Sequence, residues 1–260
     1  MLKSIIRYFH TLRYLKAKQV YFRLWFLFVK RRVDKRNAAP LRTLPDVFQK
    51  PACRRASLLS ADTFFFLNQV GCLDDLGWSG SSTTKLWCYN QHYFDDLTAL
   101  NAAERKDWHQ ALLLRWIAEN PMTHGAGWES YPTSLRIVNW VKWQYAGNNL
   151  PEPCLLSLSV QARWLCHRIE WHILGNHLFA NAKALVFAGL FFSGEEAHGW
   201  LNKGLEIVNK ELNEQILLDG GNFERSPMYH SIFLEDLLDL INLATAFKTE
   251  IPQVHLLSWR

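Results

Sequence analysis

GNHLFANAKALVFAGLFF, residues 175–192, is the stretch from which the arrangement of the rest of the chain is read. Residues 178–192 are nearly all apolar and are ended by Gly194, and a helix that is apolar all round must be buried all round. The segments on either side are amphipathic instead. Trp108, Leu112, Leu113, Trp116 and Ile117 make one helical stripe, and Leu135, Val138, Val141 and Tyr145 make a second, ended near Gly147. Leu155, Leu158, Ala162, Leu165, Ile169 and Ile173 make a third, entered after Pro153, and Trp200, Leu205, Val208, Leu212 and Ile216 make a fourth. SIFLEDLLDLINLATAF, 231–247, is apolar on most of its circumference, which predicts burial on nearly all sides. Alternation of amphipathic with all-apolar helices across short connections fits two concentric rings, the inner one covered on both faces. The expected fold is all-α, paired antiparallel helices forming an (α/α) toroid or part of one. The chain divides into a basic N-terminal arm (1–36), a connector with aromatic loops (37–102) and the toroid portion (103–260).

The 260 residues are 49% hydrophobic, enough for a substantial core, and include 12 Trp, 8 Tyr and 16 Phe. Most such rings fill cores, but several in a groove would offer faces on which sugars stack. Net charge is +5, unevenly spread: residues 1–36 hold eleven Lys or Arg against Asp34 alone. The body is therefore mildly acidic, which argues against nucleic acid as a partner. Five scattered cysteines without a CxxC pair support neither a zinc site nor a disulfide framework. His167, His172 and His177, five apart, do not share a helical face, so no metal is expected. No Gly-rich phosphate loop is present and no cofactor is expected.

The arm MLKSIIRYFHTLRYLKAKQVYFRLWFLFVKRR has Leu24–Val29 as its longest uncharged run, far short of the ~20 apolar residues a membrane span needs. It also lacks the apolar core and small-residue cleavage site of a secretory signal. Two readings stand: a terminal helix packed on the body, which surface-helix statistics favour, or an amphipathic helix lying on a membrane surface. Residues 34–60, with Pro40, Pro45 and Pro51, read as an extended connector, and the aromatic segment after it has room for a short hairpin.

Four constellations carry polar groups suited to chemistry. In GGNFERSPMYH, 220–230, Ser226 and Pro227 match a helix start, which places Tyr229 and His230 in a first turn beside unpaired N–H groups. A phenol serves as a general base only where neighbours favour its anion, as a helix N-terminus and Arg225 would; Glu224 and Arg225 can equally pair with each other. Asn176 and His177 precede the apolar helix, Asn176 reading as an N-cap or as a donor to a ligand oxygen. GAGWESYPTSLRIVNW, 125–140, brings Trp128, Glu129, Tyr131 and Arg136 to a loop–helix junction, with rings for sugar and a guanidinium fork for a carboxylate or sulfate. Arg136 can instead be a surface residue neutralising Glu129. LWCYNQHYFDDL, 86–97, groups Asn90, His92 and Tyr93.

Taken in order, these four segments resemble the heparinase II/III family of polysaccharide lyases, in particular the N-terminal helical part of its bacterial members. RYFHTLRYLKAKQVYFRL, 7–24, shares the likeness, so it covers nearly the whole chain. The resemblance implies β-elimination on a uronic-acid polysaccharide by an (α/α) toroid followed by an antiparallel β-sandwich, with an acidic polysaccharide as partner and a periplasmic location. It implies that Asn176 neutralises the uronate carboxylate and that Tyr229 is the acid and also the base, with His177 and His230 beside them. Trp128, Glu129, Tyr131, Arg136, Asn90, His92, Glu224 and Arg225 would line the groove. The family's sandwich region, and the His its later part supplies, have no counterpart in these 260 residues. A helical carbohydrate-binding or assembly module without chemistry is the alternative. Glycoside hydrolysis ranks last, with Glu129 and Glu224 its only candidate carboxylates.

Overall fold

The computed structural model describes residues 10, 13–29, 32–43, 45, 47–80 and 82–248. Its helices are α1 (Ala17–Phe28), α2 (Leu73–Leu76), α3 (Lys85–Tyr93), α4 (Lys106–Glu119), α5 (Ser130–Tyr145), α6 (Glu152–His167), α7 (Gly175–Phe191), α8 (Glu195–Gln215) and α9 (Pro227–Phe247). Short 3-10 turns lie at Asp95–Thr98, Ala102–Arg105 and Ala126–Trp128. Strands β1 (Thr63–Phe66) and β2 (Gln69–Cys72) form an antiparallel hairpin with Thr63 opposite Cys72 and Phe66 opposite Gln69. The connector thus contains the hairpin that its aromatic run has room for.

The apolar stretch behaves as its composition dictates. Every α7 residue from Leu178 to Phe191 is buried, and α7 packs against α5, α6, α8 and α9. Two glycines set its closest approach. A Cβ added at Gly189 of α7 would lie 2.6 Å from the Leu201 backbone nitrogen of α8, and one added at Gly204 of α8 would lie 2.8 Å from the Ala182 carbonyl of α7. Position 189 meets 197 and 201 while 204 meets 182 and 186, so α7 and α8 run antiparallel.

Side-chain pairings fix the direction of the other helices. Ser130 bonds the Arg168 carbonyl, and Arg136 bonds Gln161, so α5 and α6 are antiparallel. Tyr131 stacks on His177 and Ser134 bonds Asn181, an advance in the same sense that makes α5 parallel to α7. Phe179 packs on Phe233 with ring centroids 4.5 Å apart, and Lys183 bonds Asp236 and Asp239, so α7 is parallel to α9. The inner helices α5, α7 and α9 therefore start at one end of the molecule, with α6 and α8 returning outside them. This is the helical toroid expected from the sequence.

One feature of the inner ring departs from expectation. Of α9, Phe233, Leu237, Asp239, Leu240 and Leu243 are buried, whereas Leu234, Leu238 and Ile241 are 38%, 54% and 38% exposed. The helix is covered on one face and open on the other. Its circumference is apolar enough for burial all round, but among the described residues nothing covers the second face.

Polar groups lock the inner ring from within. Lys142 of α5, Lys183 of α7, and Asp236 and Asp239 of α9 form a buried quartet in which Asp239 pairs with both lysines. Burial works against the charge on Lys183, but Asp236 and Asp239 outweigh it and hold the ammonium above the usual lysine range. Burial and the charge of Lys183 push Lys142 below that range. A second centre is Asp96, whose carboxylate accepts from His109, Arg105 and the backbone N–H groups of Ser57 and Leu58, fastening the connector to the body. All five cysteines are free.

Candidate active site

The first turns of α5, α7 and α9 carry Tyr131, Asn176 with His177, and Tyr229 with His230. Because the three helices are parallel, these turns lie at one end, where unpaired N–H groups and the positive ends of three helix dipoles converge. Asn176 lies three residues before Phe179, and Tyr229 lies four before Phe233. The Phe179–Phe233 contact therefore places the amide and the phenol about one helical turn above the same packing point. The loop before α9 closes the approach: Glu224 Oε1 lies so near Gly175 that a Cβ there would be 3.3 Å from it, and Phe223 donates its N–H to the Gln215 carbonyl.

Neither helix is capped as the sequence suggests. Ser226 occupies the N-cap position of α9, but its side chain makes no capping bond. Asn176 is not the N-cap of α7: Leu174 stands there with φ 69° and ψ −161°, a conformation that disfavours any side chain. Arg225, one residue before the extended N-cap Ser226 of α9, is also at positive φ. Such strain costs on the order of 1–3 kcal/mol per residue and persists only where the surroundings impose it. Uncapped first turns leave their N–H groups to a ligand. Asn176 is half-buried, and its side chain bonds nothing among the described residues.

His177 is held rather than loose. Its Nδ1 lies 3.2 Å from Glu170 Oε1, and its ring lies 4.4 Å from that of Tyr131. Glu170 in turn accepts from Asn181 Nδ2 through Oε2 and donates its N–H to Asn181 Oδ1, while the Asn181 amide also donates to Ser134. The chain Ser134–Asn181–Glu170–His177 crosses from α5 to α7 and orients the imidazole. Tyr131 meets Tyr93 edge to face at 5.9 Å, and burial, then Asp236 and Asp95, push its phenol above the ordinary range. Beside it, Arg54 bonds Asp95 at 2.7 Å and Glu235 at 3.1 Å, joining the connector to α9.

Three residues expected in the groove lie in the core. Arg136 is fully buried. It bonds Gln161 Oε1 at 2.9 Å, Thr133 Oγ1 at 3.3 Å and the His92 carbonyl at 3.4 Å, with its guanidinium 3.8 Å over Trp116. Each of its three nitrogens is bonded to protein and none of the side chain reaches solvent, so it presents no fork to a sulfate and does not neutralise Glu129. His92 is 1% exposed, its Nε2 facing the Trp78 carbonyl and its Nδ1 accepting from Trp116 Nε1, which fixes one neutral tautomer. Burial, helped by Arg136, pushes its pKa down to about 3. Trp128 is 4% exposed and packs on Trp116 at 5.8 Å.

The remaining candidates are accessible. Glu129 pairs with Lys85 and accepts from the Tyr89 hydroxyl. Asn90 is half-buried and donates to the Leu86 carbonyl, and Glu224 and Arg225 are exposed with no ion pair between them. Glu170 and Asn181 were missed by sequence reasoning. The seven-residue gap between Glu170 and His177 spans a loop and a helix start, and no periodicity links its ends.

The sequence profile described as Heparinase II/III N-terminus matches residues 101–258. A heparin-sulfate lyase of Bacteroides stercoris is 37% identical over 99 residues, covering 35% of this chain and 15% of that protein. A heparin-sulfate lyase of Bacteroides thetaiotaomicron is 32% identical over 143 residues, covering 50% of this chain and 20% of that protein. The chain thus spans a fifth or less of these curated relatives. In fold it is similar to a heparinase III with methylated lysines (TM-score 0.54, 20% identity, 71% of this chain and 34% of that one). It is also similar to a mutant heparan sulfate lyase from Pedobacter heparinus (TM-score 0.54, 20% identity, 76% of this chain and 35% of that one). With the profile covering more than half of a helical toroid whose inner helices start together, the chain belongs to the heparinase II/III N-terminus family.

Proposed function

We propose that the common end of α5, α7 and α9 binds an acidic, uronate-containing glycan of the heparan type and takes part in its cleavage by β-elimination. The observation that supports this reading is the parallel start of the three inner helices, whose first turns carry Tyr131, Asn176 with His177, and Tyr229. Elimination requires the C5 proton to leave, the C4–O bond to break and the departing oxygen to gain a proton, with a C4=C5 double bond left behind. The C5 proton becomes acidic only when the adjacent carboxylate is neutralised. Asn176, whose amide has no partner among the described residues, donates to that carboxylate together with the first-turn N–H groups of α7. Tyr229 is the proton donor to the leaving oxygen and, as its anion, the acceptor of the C5 proton. His177, clamped by Glu170, and Tyr131 flank the ring, and Asn90, Glu129, Glu224, Arg225 and His230 form the outer rim. A glycan of this kind is met outside the bacterial cytoplasm, and the periplasm is the compartment this reading assigns.

The test follows the ultraviolet absorbance of unsaturated uronate over a panel of heparin, heparan sulfate and bacterial acidic glycans, using the chain as it occurs in its organism. Tyr229→Phe is expected to abolish product while glycan affinity is retained, and Asn176→Ala to lower kcat/KM by about a hundredfold or more. Unchanged turnover in Tyr229→Phe overturns the assigned role. Tight glycan binding without product from any substrate replaces the lyase reading with that of a binding module.

A further inference from the structure

Helix α1 has two unlike faces. One is docked: Lys18 Nζ sits 3.2 Å over the Trp171 ring, Phe22 lies 6.0 Å from that ring and Phe26 lies 5.1 Å from His172. Arg168 stands 4.5 Å over Phe26, Gln19 donates to the His172 carbonyl, and Lys16 pairs with Glu214 of α8. The terminal-helix reading of the arm therefore holds for this face.

The opposite face carries Val20, Tyr21, Leu24, Leu27 and Phe28, which are 39%, 55%, 51%, 71% and 81% exposed. Helical spacing sets these five side chains in one stripe, and no residue of α1 is buried. Arg23 is exposed beside the stripe, as are Arg13 before the helix and Arg32 after it. Residues 1–36 carry a net charge of +10, and the remainder of the chain carries −5.

We propose that this face of α1 docks the protein on an anionic lipid surface, lying in the interface without crossing it. Large aliphatic and aromatic side chains flanked by arginines are what the headgroup boundary of an acidic bilayer accepts, the rings at headgroup level and the cations on phosphates. Among the described residues, no helix is long and apolar enough to span a membrane. Charge decides between occupants. A second copy packed isologously on this stripe would bring two arms of +10 together, and an acidic glycan would meet the arginines but gain nothing from five apolar side chains.

The test is flotation of the full chain with phosphatidylcholine vesicles, with and without phosphatidylglycerol, at low and high salt. Binding is expected to require the anionic lipid and to weaken with salt. Leu24→Asp combined with Phe28→Asp should lower the apparent affinity at least about tenfold while the circular dichroism spectrum is kept, since both sites are exposed. Leu238→Asp, on the open face of α9, should leave binding unchanged. Absence of binding, equal binding to neutral vesicles, or full binding by the double variant overturns the proposal. So does sedimentation equilibrium showing a dimer that the double variant dissolves.

Discussion

Replacing Asp239 by Asn isolates the buried charge quartet. The wild-type group holds two ammonium and two carboxylate groups, with Lys142, Lys183 and Asp239 side chains 4%, 5% and 4% exposed. The variant leaves two lysines facing Asp236 alone. Breaking a buried pair on one side costs about 3–5 kcal/mol, because the surviving charge stays desolvated. Lys142 sets a ceiling, since it is already pushed down by burial and by Lys183 and can shed its proton. At pH 7 that escape costs about 5 kcal/mol from a lysine reference near 10.4, and at pH 9 about 2 kcal/mol. A group whose folded pKa is depressed binds more protons unfolded, so the variant should regain stability as pH rises. Urea unfolding followed by circular dichroism should show a loss of about 3–5 kcal/mol at pH 7, shrinking to about 2 at pH 9. Adding Lys142→Met should recover at least half of it. A loss below about 1 kcal/mol at pH 7, or an equal loss at both pH values, refutes the account.

Other outcomes follow from contacts already described. Gly204→Ala should cost about 1–2 kcal/mol, overpacking against Ala182 and Val186 exceeding the gain in helix propensity, whereas Gly199→Ala on the same helix meets nothing within 4 Å and should stabilise by up to about 1 kcal/mol. Paired thermal melts check both. His92 is held neutral with a folded pKa of about 3, so protons bind the unfolded chain preferentially between about pH 6.5 and 3. Stability should fall there by up to about 1.4 kcal/mol per pH unit, and His92→Gln should show a shallower slope in the same urea titration. Leu234→Ser with Leu238→Ser should shift the unfolding midpoint by no more than about 0.5 kcal/mol per site, since both side chains are open to water.

The fold was legible wherever periodicity reports burial. The run from Leu178 to Phe191 is apolar all round and is buried all round, and the stripes beside it became α4, α5, α6 and α8. The reading failed for α9, whose composition states what the helix can bury but not which neighbours it has. For the candidate site, the sequence places Asn176, His177 and Tyr229 near helix starts, and the structure has them in first turns, because helix starts are local. Arg136, His92 and Trp128 carry ligand-like chemistry in a ligand-like loop, but Gln161, Trp78 and Asn120 take up those groups from 25, 14 and 8 residues away. The quartet joins positions 142, 183, 236 and 239, and such pairings have no signature along the chain.

The quartet also sets the alignment of distant groups. Sliding α9 by a single turn along α7 would carry Asp236 and Asp239 some 5 Å past Lys183 and leave opposite charges mismatched in an oily interior. Its ions thus act as a vernier, translating the electrostatics of the protein's depths into the relative height of the amide at 176 and the phenol at 229. On the proposed function, substitutions in the quartet should therefore lower glycan turnover through misregistration while every side chain of the candidate site stays in place.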